Sequence, residues 1–423
     1  MSALAQAGSG HAPPRRGLAI SYAAIKRGVL WLFVALSGFA LIEPSPYEFL
    51  FPLALFVFAL TGIRLSQKLI PLALLLLLYN LGGVFALIPW MDETPSVRFT
   101  AVSVYLMLTA IFFAAIMAED ATGRLDTLRK GYLFAAWCAG LAGILGYFNI
   151  GGLGGAFTLY GRASGTFKDP NVLGPYLVLP ILYCLHGILT RRLGLIRGFL
   201  LMSVPLLALF LTFSRGGWGN LVASAMLMTA LSFLVSASAA QRRRIVVLTA
   251  VSLGLVVVAL LVALSFENIR SVFEVRASLD QSYDQGVTGR FGSQLRAIPM
   301  LLDVPNGFGP LRFRFFFPED PHNVYVNAFA SYGWLGGIAY LALTAATCVV
   351  GWRLVFTRAP WQGHAIVLWS VLFATILQGI QIDTDHWRHF YLLLGLVWGL
   401  SALPRRTVPV GAARPQGALR TAT

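Results

Sequence analysis

Charge is what this chain has least of: only 12% of its 423 residues are Asp, Glu, Lys or Arg, against 57% hydrophobic residues. So little polar cover cannot screen so much apolar surface from water, which excludes a water-soluble globular class. Acid is the scarcer sign, with 17 acidic residues against 32 basic ones and a formal net charge of +15. Cysteine is scarce as well. Cys138, Cys184 and Cys348 all fall inside apolar runs, so neither a disulfide framework nor a cysteine-based metal cluster is expected. Walker-type phosphate loops, paired CxxC, HExxH and G-x-S-x-G are absent, and with them the commonest soluble nucleotide, metalloprotease and serine-hydrolase signatures. The apolar/polar alternation that builds outer-membrane barrels is missing too. A basic stretch precedes the first apolar run without a small-residue cleavage site, so that run is expected to be a retained span rather than a signal peptide.

Long apolar runs are what the chain has in abundance, and its mean hydropathy is +0.73. Runs of about 20 residues match the thickness of a bilayer core crossed as a helix. The expected fold class is therefore an all-α integral membrane bundle of about twelve transmembrane helices. Candidate spans lie at roughly 28–42, 48–63, 69–89, 98–118, 131–149, 171–189, 198–213, 217–236, 245–265, 323–350, 362–382 and 388–403. With the N-terminus inside, about 21 of the 32 basic residues fall in short loops on the cytoplasmic side, as the positive-inside rule requires. The net charge thus reads as orientation, and no nucleic-acid partner is expected. The resulting organisation is a cytoplasmic tail at 1–27, a polytopic membrane domain at 28–403 and a cytoplasmic tail at 404–423. Its one long outer loop, about 266–322, holds Arg270, Arg276, Arg290, Arg296, Arg312 and Arg314, basic residues that orientation does not explain. Within it, the apolar stretch around Leu295 to Leu302 predicts a re-entrant helix or one lying along the membrane surface.

Polar residues that can carry chemistry gather in four groups on the outer side. The first is Gly161 to Asn171, with Arg162 and Lys168. The second is the turn Thr212-Phe213-Ser214-Arg215-Gly216-Gly217. The third is Thr288-Gly289-Arg290 followed by Asn306-Gly307-Phe308-Gly309-Pro310. The fourth is Pro321-His322-Asn323-Val324-Tyr325 with Ser331 to Gly337 beyond it. Asp169-Pro170 and Asp320-Pro321 each stand just before a long apolar run, the pattern of an Asp N-cap and a Pro at the first helical position. Asp383, Asp385, His386, Arg388 and His389 form a fifth, dense polar knot between the last two runs.

These motifs resemble the O-antigen ligase and polymerase family of bacterial surface-polysaccharide assembly, and more closely its exopolysaccharide-polymerisation branch. The resemblance covers about 130–403 and rests on RxSGTFxDPN, TxSRG, GR with GFGP, and HNxY with YGxLG, in that order. One departure stands out: where many members have an acidic residue before the last glycines, this chain has Ser331-Tyr332. The resemblance implies metal-independent glycosyl transfer, without a cofactor, at the periplasmic face of the bacterial inner membrane. The donor would be an undecaprenyl-diphosphate-linked glycan and the acceptor a sugar hydroxyl, on a growing glycan or a lipid core; other polysaccharide-assembly proteins are expected partners.

Arginine suits the departing diphosphate, because its planar fork pairs with phosphate oxygens and keeps its charge. Arg162, Arg215 and Arg290 are the candidate clamp. His322 is the candidate base, or alternatively a ligand of the diphosphate at a helix start. His322, Arg215 and Arg290 are thus the expected catalytic set. Arg162, Lys168, Asn171, Asn323, Tyr325, Arg312, Arg314, Asp385, His386 and Arg388 are expected to bind substrate. Plainer readings stand beside these: Arg215 snorkels at a membrane boundary, Arg290 pairs with Asp280 or Asp284, and Arg312 and Arg314 alternate with Phe313 and Phe315 in an interfacial strand or turn. A transporter of lipid-linked glycans and a protein O-oligosaccharyltransferase are the competing functions. A transporter, however, is expected to place ionisable groups near the bilayer midplane, and here they cluster on one side.

Overall fold

The computed structural model describes residues 21–277, 286–287 and 289–404. Most of both expected tails, 1–20 and 405–423, lies outside the described residues, as do Asp280, Asp284 and Thr288. The described chain is helical almost throughout: α1 (Tyr22–Ala35), α2 (Pro46–Ala59), α3 (Ile70–Leu87), α4 (Thr94–Ala115), α5 (Ala121–Tyr147), the single turn α6 (Gly154–Phe157), α7 (Pro170–Leu189), α8 (Leu195–Leu211), α9 (Arg215–Val235), α10 (Ala239–Leu264), α11 (Glu267–Ala277), α12 (Arg290–Leu302), α13 (Val324–Val355), α14 (Gln362–Gln378) and α15 (Arg388–Ala402). A two-residue hairpin, β1 (Thr158–Leu159) and β2 (Arg162–Ala163), interrupts the helices.

A helix stands at every expected span, but the helices are unequal. Six are long and apolar enough to cross a membrane: Gln67–Trp90 and Thr94–Ala118, which include short 3-10 extensions of α3 and α4, then α7, α9, α10 and α13. The chain is thus an all-α membrane protein. The helices α2, α8 and α14 are apolar but shorter. At 1.5 Å per residue a 14-residue helix such as α1 or α2 reaches only about 21 Å, against a hydrocarbon core of about 30 Å. Residues 36–45 after α1 are irregular, where a continuous span to residue 42 was expected.

The bundle is held by close helix pairs. α13 runs along α3, α15 along α4, α14 and α7 along α9, and α1 along α5. Small residues allow the approach, as is usual where lipid removes the ordinary hydrophobic drive. A Cβ on Gly82 of α3 would sit 2.5 Å from the Tyr332 carbonyl of α13. Almost none of α10 is buried, although it has the highest hydropathy of the six, as befits a helix whose solvent is lipid.

α13 breaks at Gly333, whose φ of 64° is outside the helical region. The segment after α12 fills the break: Trp334 donates its N–H to the Pro305 carbonyl at 2.8 Å, and Phe308 and Gly309 donate theirs to the Ala330 carbonyl at 2.7 and 3.1 Å. Two glycine motifs far apart in the chain are therefore one structural unit, each satisfying backbone groups the other leaves open.

Candidate active site

The Gly161 to Asn171 group is built around the hairpin. Tyr160 and Gly161 both have positive φ (51° and 69°), the two-residue turn that matches strand twist. It delivers Arg162 into a buried position, where Nε donates to the Thr212 carbonyl at 2.7 Å and one terminal nitrogen to Asn171 Oδ1 at 2.7 Å. Asp169 caps α7 as expected, accepting from the Asn171 N–H at 2.7 Å, with Pro170 at the first helical position. Arg162 thus ties the first polar group to the second, and at least two of its donors brace the protein itself.

Ser214 caps α9, accepting from the Gly217 N–H at 3.1 Å, so Arg215 is the first residue of that helix. A Cβ on the next residue, Gly216, would lie 2.7 Å from Gln378 Nε2, and Asn220 donates to Gln378 Oε1 at 2.8 Å. The end of α14 is therefore the neighbour of the α9 start. One residue on, the Gly379 carbonyl accepts from the Val324 N–H at 2.8 Å, which brings the start of α13 to the same place.

That start differs from expectation. The helix cap is Asn323, whose side chain accepts from the Tyr325 and Val326 N–H groups at 3.0 and 3.3 Å. Asp320 does not cap it, and Pro321 is not its first residue. His322 lies outside the helix with φ 43°, a left-handed conformation rare for a residue with a side chain. The surroundings hold it there. Asp383 Oδ1 accepts from the Asn323 N–H at 3.1 Å, Gln294 of α12 donates to the Pro321 carbonyl at 2.7 Å, and Asn323 donates to Gln294 Oε1 at 3.4 Å. The last of these bonds is long. Arg290, the first residue of α12, donates to the Gln381 carbonyl at 3.3 Å. Tyr325 donates its hydroxyl to the Ile376 carbonyl at 2.8 Å and so braces α13 on α14.

Electrostatics follow from this packing. Burial, then the Arg290 guanidinium, depress the His322 pKa below its ordinary 6.5, against the opposing pull of Asp320, Glu319 and Asp169. Burial, with Asp385 and Asp320 nearby, raises Asp383 well above the usual carboxylate range, although the His322 and Asn323 amides act the other way. Asp385 is buried, with Tyr79 donating to it at 3.2 Å and Asn327 at 3.3 Å. His386 Nδ1 lies 3.2 Å from the same carboxylate. Its Nε2 donates to the Phe99 carbonyl at 3.1 Å, and the ring stacks on Phe99 with centroids 3.8 Å apart. Burial works to lower the His386 pKa, but Asp385 and that carbonyl outweigh it, and the net shift is upward. Ser331 donates to Asn327 Oδ1 at 2.8 Å, so it joins the Asp385 network from the next turn of α13.

Other expected site residues lie apart from His322. Arg312 pairs with Glu93 and stacks 3.4 Å over Trp90; it enters a 3-10 turn at Phe313–Phe315 rather than a strand. Arg314 is exposed, 3.6 Å from Asp320. Lys168 pairs with Glu43 at 2.9 Å, and Arg388 with Glu48 at 2.5 Å. Residues the sequence reading passed over are Glu43, Glu48, Arg98, Gln294, Gln378 and Asn327. Glu43 and Glu48 carried a signal, as rare carboxylates on the same side as unexplained cations.

A cavity of about 990 Å³ opens between the loop after α1, the α2 start, α4, α7 and the beginnings of α13 and α15, with Asp320 and Pro321 in its wall. No curated protein matches the chain. Residues 198–341, from α8 into α13 and including Arg215, Arg290 and His322, match the family model described as Wzy_C, O-antigen ligase, and this part of the chain is therefore similar to the O-antigen ligase family.

Proposed function

We propose that this chain is a bacterial inner-membrane glycosyltransferase that acts at the periplasmic face. It uses no metal, and moves a glycan from an undecaprenyl-diphosphate carrier to a sugar hydroxyl in polysaccharide polymerisation. In the step, the bond between the anomeric carbon and the diphosphate oxygen breaks. A bond from that carbon to the acceptor oxygen forms, and the hydroxyl proton passes to His322. The diphosphate leaves as an anion. Arg215 and Arg290 meet its charge, with Arg162 positioning the α9 start through Thr212 and Asn171.

The observation that carries this reading is the convergence at His322. A half-buried imidazole, held out of the helix ladder beside Arg290, is biased toward the neutral form that can take a proton. About twelve spans with cytoplasmic termini fit the charge distribution, because Lys26 and Arg124 meet Glu119 at the end of the bundle opposite Glu43, Glu48 and His322.

His322→Ala and Arg215→Ala, each inserted in the membrane at the wild-type level, are expected to abolish long-chain surface polysaccharide and to leave lipid-linked repeat units accumulating. Polysaccharide of normal length in both variants refutes the assignment.

A further inference from the structure

The cavity has a chemistry of its own. Arg162, Arg215 and Arg290 are not among its lining residues. Six acidic side chains are: Glu43, Glu48, Asp169, Asp320 and Asp385, and Asp383, which burial biases toward its neutral, hydrogen-bonding form. Three arginines or lysines share the lining: Arg98 and Lys168 lie 3.2 and 2.9 Å from Glu43, and Arg388 lies 2.5 Å from Glu48. Arg314, from outside the lining, lies 3.6 Å from Asp320, and His386, within it, lies 3.2 Å from Asp385, so acids still outnumber cations around the wall. The aromatic side chains Phe99, Tyr105, Phe167 and Trp387 also line it.

A second observation points to a ligand. His389 lines the cavity, is only 3% exposed, and its Nε2 has no hydrogen-bond partner. Its ring is held against Trp387, with centroids 5.1 Å apart, and edge-on to Tyr176 at 5.8 Å. A buried polar nitrogen left unpaired is costly, and one that a bound hydroxyl would satisfy is a common device of binding sites. Carboxylates accept hydrogen bonds from hydroxyls and ammonium groups and repel phosphates, while aromatic faces cover the apolar faces of sugar rings.

We infer that this cavity is the acceptor subsite, and that it takes the end of a glycan that is uncharged or carries amino groups while rejecting a phosphorylated one. The assignment to an acceptor rests on the transferase reading above; the ligand class rests on the cavity. Asp320 and Pro321 belong to its wall and directly precede His322 in the chain, so the cavity adjoins the His322 loop.

The test uses the purified full chain in lipid nanodiscs and tryptophan fluorescence with three probes: cellotetraose, and its derivatives bearing an amine or a phosphate at the terminal 6-position. The neutral and amino probes are expected to bind, and the phosphate probe at least about tenfold more weakly, as like-charge juxtaposition demands. Trp387→Ala is expected to weaken the first two by about tenfold, and Trp387→Phe, which keeps a flat face, by no more than about twofold. Equal or tighter binding of the phosphate probe, no effect of Trp387→Ala, or no binding by any probe overturns the inference. A parallel turnover assay with a lipid-linked donor separates the two claims. Selective binding without transfer sinks the transferase reading and leaves a glycan site; equal transfer to the phosphorylated acceptor sinks the subsite alone.

Discussion

His322 is the residue on which the proposed chemistry turns, and its backbone and its ionisation have separate causes. Asn323 caps α13 and Asp383 takes the Asn323 amide, so the chain before the cap must turn through a left-handed residue. Such a conformation costs on the order of 1–3 kcal/mol and persists only where neighbours enforce it. Burial and Arg290 then disfavour the imidazolium. A base must be neutral, so the acid limb of the transfer rate is expected below the ordinary histidine range near 6.5. Removing the positive neighbour raises the pKa, so Arg290→Gln is expected to slow transfer and move that limb to higher pH. The pH profile of kcat/KM decides it; a limb in the variant at or below the wild-type position contradicts the field. The candidates His322 and Arg290 were legible in the sequence because ionisable residues are rare in this chain. The cap was not. Asp320-Pro321 fits the same local rule that Asp169-Pro170 obeys, and what overrides it is Asp383, 60 residues away along the chain.

Among the elements, α12 and the break in α13 show how far local pattern reaches. The apolar stretch at Leu295 to Leu302 predicted a re-entrant helix or one along the membrane surface, and α12 is a helix with one apolar face exposed. Phe291, Leu295, Ile298 and Leu302 are exposed, with Leu295 at 71% and Leu302 at 66%, while Gln294, Ala297 and Leu301 are buried. The buried face carries Gln294 to the His322 loop, and the helix begins with Arg290. If that exposed apolar face rests in the lipid surface, as proposed, the depth of α12 sets where both residues sit. A nitroxide at position 295 is expected to collide more with oxygen than with a water-soluble nickel chelate, and one at Tyr160, on the hairpin turn and 84% exposed, to show the reverse. Water-like accessibility at 295 removes α12 from the membrane surface. The break in α13 was legible only as two glycine motifs. Their union through the Pro305 and Ala330 carbonyls depends on contacts between separate segments, which no window of sequence contains.

For the molecule as a whole, charge divides between the two ends of the bundle. At one end Lys26 and Arg124 share Glu119, and Arg244 donates to the Ile188 carbonyl at 2.9 Å. At the other stand the cavity, its carboxylates and His322. The proposed orientation predicts that a cysteine at Tyr160 reacts with an impermeant maleimide in intact spheroplasts, and that one at Leu65, 64% exposed, reacts only after permeabilisation. The opposite pattern inverts the topology.

The sequence by itself determined the solvent of this protein and its helical class, and the orientation remains a proposal from loop charge. Solvent and class follow from hydropathy summed over runs, a property of composition and order along the chain. Only the tertiary structure decided that Arg162 braces Thr212 and Asn171, that Arg312 is committed to Glu93 and Trp90, and that Asp385 meets Asn327 and Tyr79. It alone drew carboxylates from the α1–α2 loop, the α7 cap and the loop before α15 into one cavity. The physical reason is distance: a buried side chain takes whichever partner the packing of other helices brings within about 3 Å, and residues up to 306 positions apart meet at Asp385.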